Sequence, residues 1–149
     1  MAIVNRILYP VDLSDASSKI VDYVKEMADT FNAEIYTIIV AHVTDYYSSI
    51  EMPYTLMNNF EIEIIKGAEK QITAFVNTHF SDRTVETKVV PGHPGEEILN
   101  FSKEQNIDLV IMGTHGRKGL GRIIFGSVAN YVVKNARIPV LTLHPYQSD

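Results

Sequence analysis

The sequence predicts an α/β fold: a single doubly wound domain over residues 1–149, a parallel sheet with helices on both faces. Three observations carry this prediction. Short aliphatic runs alternate with amphipathic stretches of helical period, the pattern of strands joined by crossover helices. Several runs are apolar without alternation, as strands buried on both faces must be. No repeat, low-complexity tract or linker breaks the 149 residues, a length that suits one domain with a full core.

The elements follow in order β-α-β-α-β-α-β-α-β. Ile3 to Val11 is the first strand. Ser14 suits the cap of the next helix, whose apolar stripe is Ile20, Val21, Val24, Ala28 and Phe31. Ile35 to Val43 is a second, almost wholly aliphatic strand. Residues 44–57, with Tyr46, Tyr47, Pro53 and Tyr54, read as a loop. A long helix from about Asn58 to Phe80 carries Ile65, Ala68, Ile72 and Val76 on one side. Val85 to Val90 is the third strand, stopped by Pro91-Gly92. Pro94 fits a first helical turn, with His93 as cap and Glu96-Glu97 at the positive helix end. Leu109 to Met112, introduced by Asp108, is the fourth strand, and Gly126-Ser127 opens a fourth helix to about Ala136. Ile138 to Leu143 is the fifth strand, where Pro139 favours an edge or strand end.

Composition narrows the function classes. The chain is 46% hydrophobic and 21% charged, with a net charge of −5. That acidity argues against nucleic-acid binding, which wants a basic face. The absence of cysteine removes disulfides and thiol chemistry and suits a reducing cytoplasm. His42, His79, His93, His115 and His144 lack the spacing of metal ligands. No apolar run is long enough to cross a bilayer, and the N-terminus reads as a strand rather than a signal peptide.

The chemistry concentrates at strand ends, where such sheets bind ligands. Gly113 and Gly116 follow the fourth strand, and nine residues later Gly126-Ser127 stands at the mouth of a helix. Glycines at positive φ let backbone amides approach an oxygen closely, and a helix N-terminus attracts anions. Arg117, Lys118 and Arg122 can neutralise phosphate charge, and Gly119 and Gly121 leave that segment free to close over a ligand. Ser127 can cap the helix or bond a phosphate; His115 is a turn residue or a ligand. Asp12, at the end of the first strand, can accept hydrogen bonds from ribose hydroxyls, while Val11 and Val43 can wall a base.

These residues make the chain resemble the universal stress protein (UspA) family, in its ATP-binding subclass. Gly113, Gly116, Gly126 and Ser127 fit the family pattern G-x2-G-x9-G-[S/T]. The opening Ile7-Leu8-Tyr9-Pro10-Val11-Asp12 with Ser14, the Ala41-His42-Val43 strand end and the closing Ile138-Pro139-Val140-Leu141 match as well. The resemblance implies an adenine nucleotide alpha hydrolase-like fold, with five parallel strands in order 3-2-1-4-5 and ATP between the first and fourth. It implies Pro10, Val11, Asp12 and Val43 around adenine and ribose. Met112, Gly113, Thr114, His115, Gly116, Arg117 and Lys118 would meet ribose and phosphates, and Gly126, Ser127 and Val128 the phosphates. It also implies a homodimer through the last strand, Ile138 to Leu143, which would cover an exposed edge.

Catalytic residues are not evident. There is no Walker G-x4-G-K-[S/T], no G-x-S-x-G elbow and no S-G-G-x-D loop after the first strand. Asp12 is the one acid at the site, and no metal is held by protein spacing, so Mg²⁺ would arrive with the ATP phosphates. The expectation is a cytoplasmic ATP-binding regulatory or stress-response module with an unidentified protein partner and at most slow hydrolysis. The alternatives are a genuine ATPase or autophosphorylating phosphotransferase, and a dimeric scaffold for AMP or a cyclic nucleotide.

Overall fold

Successive side chains of a strand point to opposite faces, so an unbroken aliphatic run needs cover on both sides. In β1 (Arg6–Pro10), Ile7, Leu8 and Tyr9 are all fully buried. The computed structural model describes residues 3–41, 53–114 and 126–145. Its other strands are β2 (Glu34–Ala41), β3 (Val85–Pro91), β4 (Leu109–Gly113) and β5 (Val140–Leu143). They form one parallel sheet in the order β3-β2-β1-β4-β5. The helices are α1 (Asp15–Lys19), α2 (Val21–Phe31), α3 (Tyr54–His79), α4 (Pro94–Glu104) and α5 (Ser127–Asn135). Among the described residues no helix is long and apolar enough to cross a membrane.

The alternation builds two apolar layers. On one face Ile7, Tyr9, Ile39 and Ile111 pack with Val24 and Ala28 of α2 and with Ile72 of α3 and Phe80. On the other, Leu8, Ile38, Val110 and Met112 pack with Ile98 and Phe101 of α4 and with Ala129 and Val132 of α5. Each large aliphatic side chain so buried contributes on the order of 1.5–3 kcal/mol.

Several element ends differ from the sequence reading, each for a local reason. β1 begins at Arg6 and Ile3 stays exposed, because the Asp108 carboxylate takes the amides of Asn5 and Arg6 at 2.8 and 2.9 Å. The first helix is two: Ile20 (φ −104°, ψ 1°) separates α1 from α2. The Tyr9 hydroxyl donates to the main-chain carbonyl of Ser17 in the turn before that break, and an inserted side chain interrupts a helical ladder. Ser14 occupies the N-cap position of α1 but makes no side-chain cap bond. Its hydroxyl instead donates to Asp12 at 2.5 Å. Phe31 remains 41% exposed at the end of α2, where Asn32 (φ 52°) turns the chain back toward the sheet. α3 starts four residues before Asn58, after Pro53, whose carbonyl receives the amides of Leu56 and Met57. The start of α4 is as the sequence predicts: Pro94 leads and His93 Nδ1 accepts the Glu96 amide at 3.4 Å. β5 begins at Val140, and Pro139, lacking an N–H, contributes its carbonyl to Val110 at 3.1 Å.

An ion network ties α2 to the turn after α3. Arg83 bonds Asp29 at 2.9 Å and Asp82 at 3.1 Å, and Lys25 meets Asp82 at 3.1 Å. Hydrogen bonds from Arg83 and then Lys25 hold the Asp82 carboxyl down at about 2, against an ordinary value of 3.8. With the folded value below the unfolded one, the stabilisation is complete above pH 3.8 and fades as pH falls through about 2. Carboxyl NMR titration is expected to place the Asp82 midpoint at about 2, and Arg83→Gln to return it toward 3.8.

Candidate functional site

A doubly wound sheet opens a crevice where its winding reverses, beyond the carboxyl ends of the strands. Here the reversal lies between β1 and β4. A cleft of about 390 Å³ occupies that position, lined from β1, β2, β4 and the first turns of α1, α4 and α5. Its size falls within the range of small-molecule sites.

The apolar walls come from strand ends. Val11 continues past β1, its amide donating to the Ile38 carbonyl at 3.0 Å, so β1 and β2 stay in register up to the cleft. Pro10, Val11, Ile38, Val40 and Met112 line it, and Ile98 closes it from α4.

The opposite wall is polar main chain. Thr114 is held to β5 by its amide, which donates to the Leu143 carbonyl at 2.8 Å, and its own carbonyl accepts the Gly126 amide at 2.6 Å. This brings Gly126 beside the end of β4, although eleven residues separate it from Thr114. Gly126 is the N-cap residue of α5 and there is no side-chain cap bond. The first amides of a helix have no partner within it. Ser127, Val128 and Ala129 carry those amides and all line the cleft. A positive dipole end thus opens on it.

Asp12 is the one charged side chain lining the cleft among the described residues. Its Oδ1 accepts from the Ser14 amide at 2.9 Å, the Ser14 hydroxyl at 2.5 Å and the Ser17 hydroxyl at 2.9 Å. Ser17 Oγ also accepts the Asp12 amide at 3.1 Å. Burial, and then the Asp12 charge, push the Tyr9 hydroxyl above the ordinary tyrosine range, which keeps it a donor.

Of the residues picked out by sequence, Pro10, Val11, Asp12, Met112, Gly113, Thr114, Gly126, Ser127 and Val128 converge on this cleft. Val43, His115, Gly116, Arg117 and Lys118 lie outside the described residues, as do His42, Gly119, Gly121 and Arg122. Two expectations need correction. Of Gly113 and Gly116, expected at positive φ, Gly113 is an extended strand residue and Gly116 lies outside the described residues; Gly126 has φ −58° and ψ 150°, and Gly92 is the one positive-φ glycine among the described residues. The backbones of Gly113 and Gly126 are open to any residue, so at Gly126 what matters is the missing side chain. Ser127 is not the cap but the first helical residue. The sequence reading missed Ser17, Ile38, Val40, Pro94 and Ile98. The Pro91-Gly92 turn was the one local signal that α4 would be set over the strand ends.

The family model for the universal stress protein family matches residues 4–144. Universal stress protein MJ0531 of Methanocaldococcus jannaschii is 34% identical over 144 residues, covering 93% of this chain and 81% of that protein. Universal stress protein MJ0577 of the same organism is 29% identical, with 93% of each chain covered. Its structure has a TM-score of 0.82 to this fold at 26% identity, over 98% of this chain and 99% of that one. The universal stress protein from Archaeoglobus fulgidus in complex with dAMP shares the fold at a TM-score of 0.66 and 20% identity, over 94% and 98% of the two chains.

Proposed function

The chain belongs to the universal stress protein family, and from that membership we propose that it is a cytoplasmic, single-domain ATP-binding module. The observation that carries this reading is the uncapped N-terminus of α5, opening on the cleft that also holds Asp12 and the apolar strand ends. The amides of Ser127 and Val128 donate to phosphate oxygens, with Gly113 and Thr114 beside them. Asp12 accepts from ribose, and Pro10, Val11 and Met112 flank the base, joined by Val43. His115, Gly116, Arg117 and Lys118 complete the phosphate end, and Mg²⁺ enters on the ATP phosphates. The dAMP held by the Archaeoglobus fulgidus protein is in keeping with an adenine ligand. Occupancy then alters the surface shown to a regulatory protein, in a homodimer paired through Ile138 to Leu143.

Hydrolysis is slow on this reading, because Asp12 is the one described cleft residue that can serve as a base and it is assigned to the ribose. A second reading, a monophosphate ligand such as AMP, is favoured by one observation. No lysine or arginine lines the cleft among the described residues, so the charge to balance three phosphates rests on residues 117–122.

Calorimetry of the purified chain with ATP and Mg²⁺ is expected to give saturable binding, weaker for ADP and weaker still for AMP. Absence of heat and of any thermal shift with all three would sink the nucleotide reading, and a reversed order would select the monophosphate. Single-turnover rates of about 1 s⁻¹ or more would make the chain an enzyme instead.

A further inference from the structure

The Asp12 carboxylate has two oxygens with unequal surroundings. A carboxylate offers about four lone-pair sites, two to each oxygen. Three donors already fill Oδ1, while Oδ2 takes no hydrogen bond from the described residues. Two of those donors belong to Ser14, in the same tight turn. The third, Ser17, is different: it is buried, sits on α1, and grips Asp12 at both amide and carboxylate.

Ser17 is in turn anchored to the core. Its main-chain carbonyl accepts the Tyr9 hydroxyl, and the Tyr9 ring is fully buried against Phe75 and Phe80, at centroid distances of 6.4 and 6.2 Å. A chain of contacts therefore runs from the packed interior through Tyr9 and Ser17 to one oxygen of Asp12. Hydrogen bonds to a charged group are the stronger kind, and a buried support fixes geometry that a loop alone would leave loose.

We infer that Ser17, held by Tyr9, is a positioning residue that occupies Oδ1 of Asp12 and leaves Oδ2 as the oxygen that selects a hydroxylated sugar. This rests on the nucleotide-binding reading above and adds the element that makes it specific for ribose. Ser17 Oγ is committed to Asp12, accepting its amide and donating to Oδ1, so it acts on the sugar through the carboxylate. It sets the carboxylate orientation, so its loss weakens sugar recognition without weakening the grip on base and phosphate.

The test compares ATP with 2′,3′-dideoxy-ATP, each with Mg²⁺, on the full chain and on the Ser17→Ala, Asp12→Ala and doubly substituted chains. The natural chain is expected to prefer ATP by about tenfold or more, the value of one hydrogen bond to a charged group. Ser17→Ala is expected to hold dideoxy-ATP as the natural chain does, which also verifies its fold, and to lose most of the preference. On the Asp12→Ala background, Ser17→Ala should change nothing further, since the two act as one unit. An unchanged preference in Ser17→Ala overturns the inference, as does an equal loss for both nucleotides. A natural chain that binds ATP without preference for it removes the sugar role of Asp12 and leaves the ATP-binding reading standing. Binding of neither nucleotide overturns both.

Discussion

Gly126→Asp is expected to cut ATP affinity by more than about a hundredfold while leaving the fold as stable as before, or slightly more so. The backbone at Gly126 (φ −58°, ψ 150°) is open to any L-residue, and it stands at the N-cap of α5 with no side-chain cap. Aspartate is among the preferred N-cap residues and gains a few tenths of a kcal/mol or more over glycine there. Its carboxylate would accept the amides of Val128 or Ala129, the same donors that face the cleft. Two charge-assisted hydrogen bonds lost to a phosphate are worth roughly 3 kcal/mol together, about a hundredfold, and repulsion by the new carboxylate adds to that. Calorimetry with a parallel thermal melt reads both signs. Affinity within a few fold of the natural chain would show that the α5 terminus is not the phosphate site. The opposite movement of stability and binding distinguishes this result from simple unfolding.

Gly95→Ala is expected to destabilise the chain by about 1–3 kcal/mol, the usual cost of overpacking. Gly95 is buried in the first turn of α4, and a Cβ there would lie 2.3 Å from Cδ1, 2.7 Å from Cγ and 3.1 Å from Cβ of Tyr131 on α5. Because the near atoms include the root of the tyrosine side chain, turning the ring does not clear them. The higher helix propensity of alanine, at most about 1 kcal/mol, opposes the clash without matching it. Relief comes from moving α4 and α5 apart, which also withdraws the α5 terminus from the cleft, so ATP affinity falls together with the urea midpoint. Tyr131→Ala in the same chain should recover most of the Gly95→Ala loss, a strong coupling expected of touching residues. Additive losses would mean that the two helices meet elsewhere.

The parts of this molecule that were legible in sequence are those written in local chemistry. Unbroken aliphatic runs such as Ile7-Leu8 and Val110-Ile111 specify strands covered on both faces, and they lie at the centre of the sheet. His93-Pro94 with Glu96-Glu97 specifies a helix start, and the cap forms as written. The misreadings arise where a distant or competing group intervenes. The break at Ile20 follows the arrival of Tyr9's hydroxyl from the first strand, which no pattern within residues 14–31 reveals. Ser14 loses its cap role to the carboxylate two residues before it. The site divides in the same way. Gly113, Gly126-Ser127 and Asp12 announce themselves by residue type and by position at strand ends. Ile38, Val40 and Ile98 are ordinary core residues in sequence and become cleft walls through the packing of β2 and α4.

The two apolar layers give the cleft a further consequence. Tyr9 and Val11 belong to one layer and Ile38, Ile98 and Met112 to the other, yet all five line the cleft at the end of the sheet. A ligand seated there touches both layers, so its binding energy resists the opening of either one. On the nucleotide-binding reading, occupancy is expected to couple α1 on one side of the sheet to α5 on the other. Proteolytic susceptibility on the two faces of the sheet is then expected to fall together as nucleotide concentration rises.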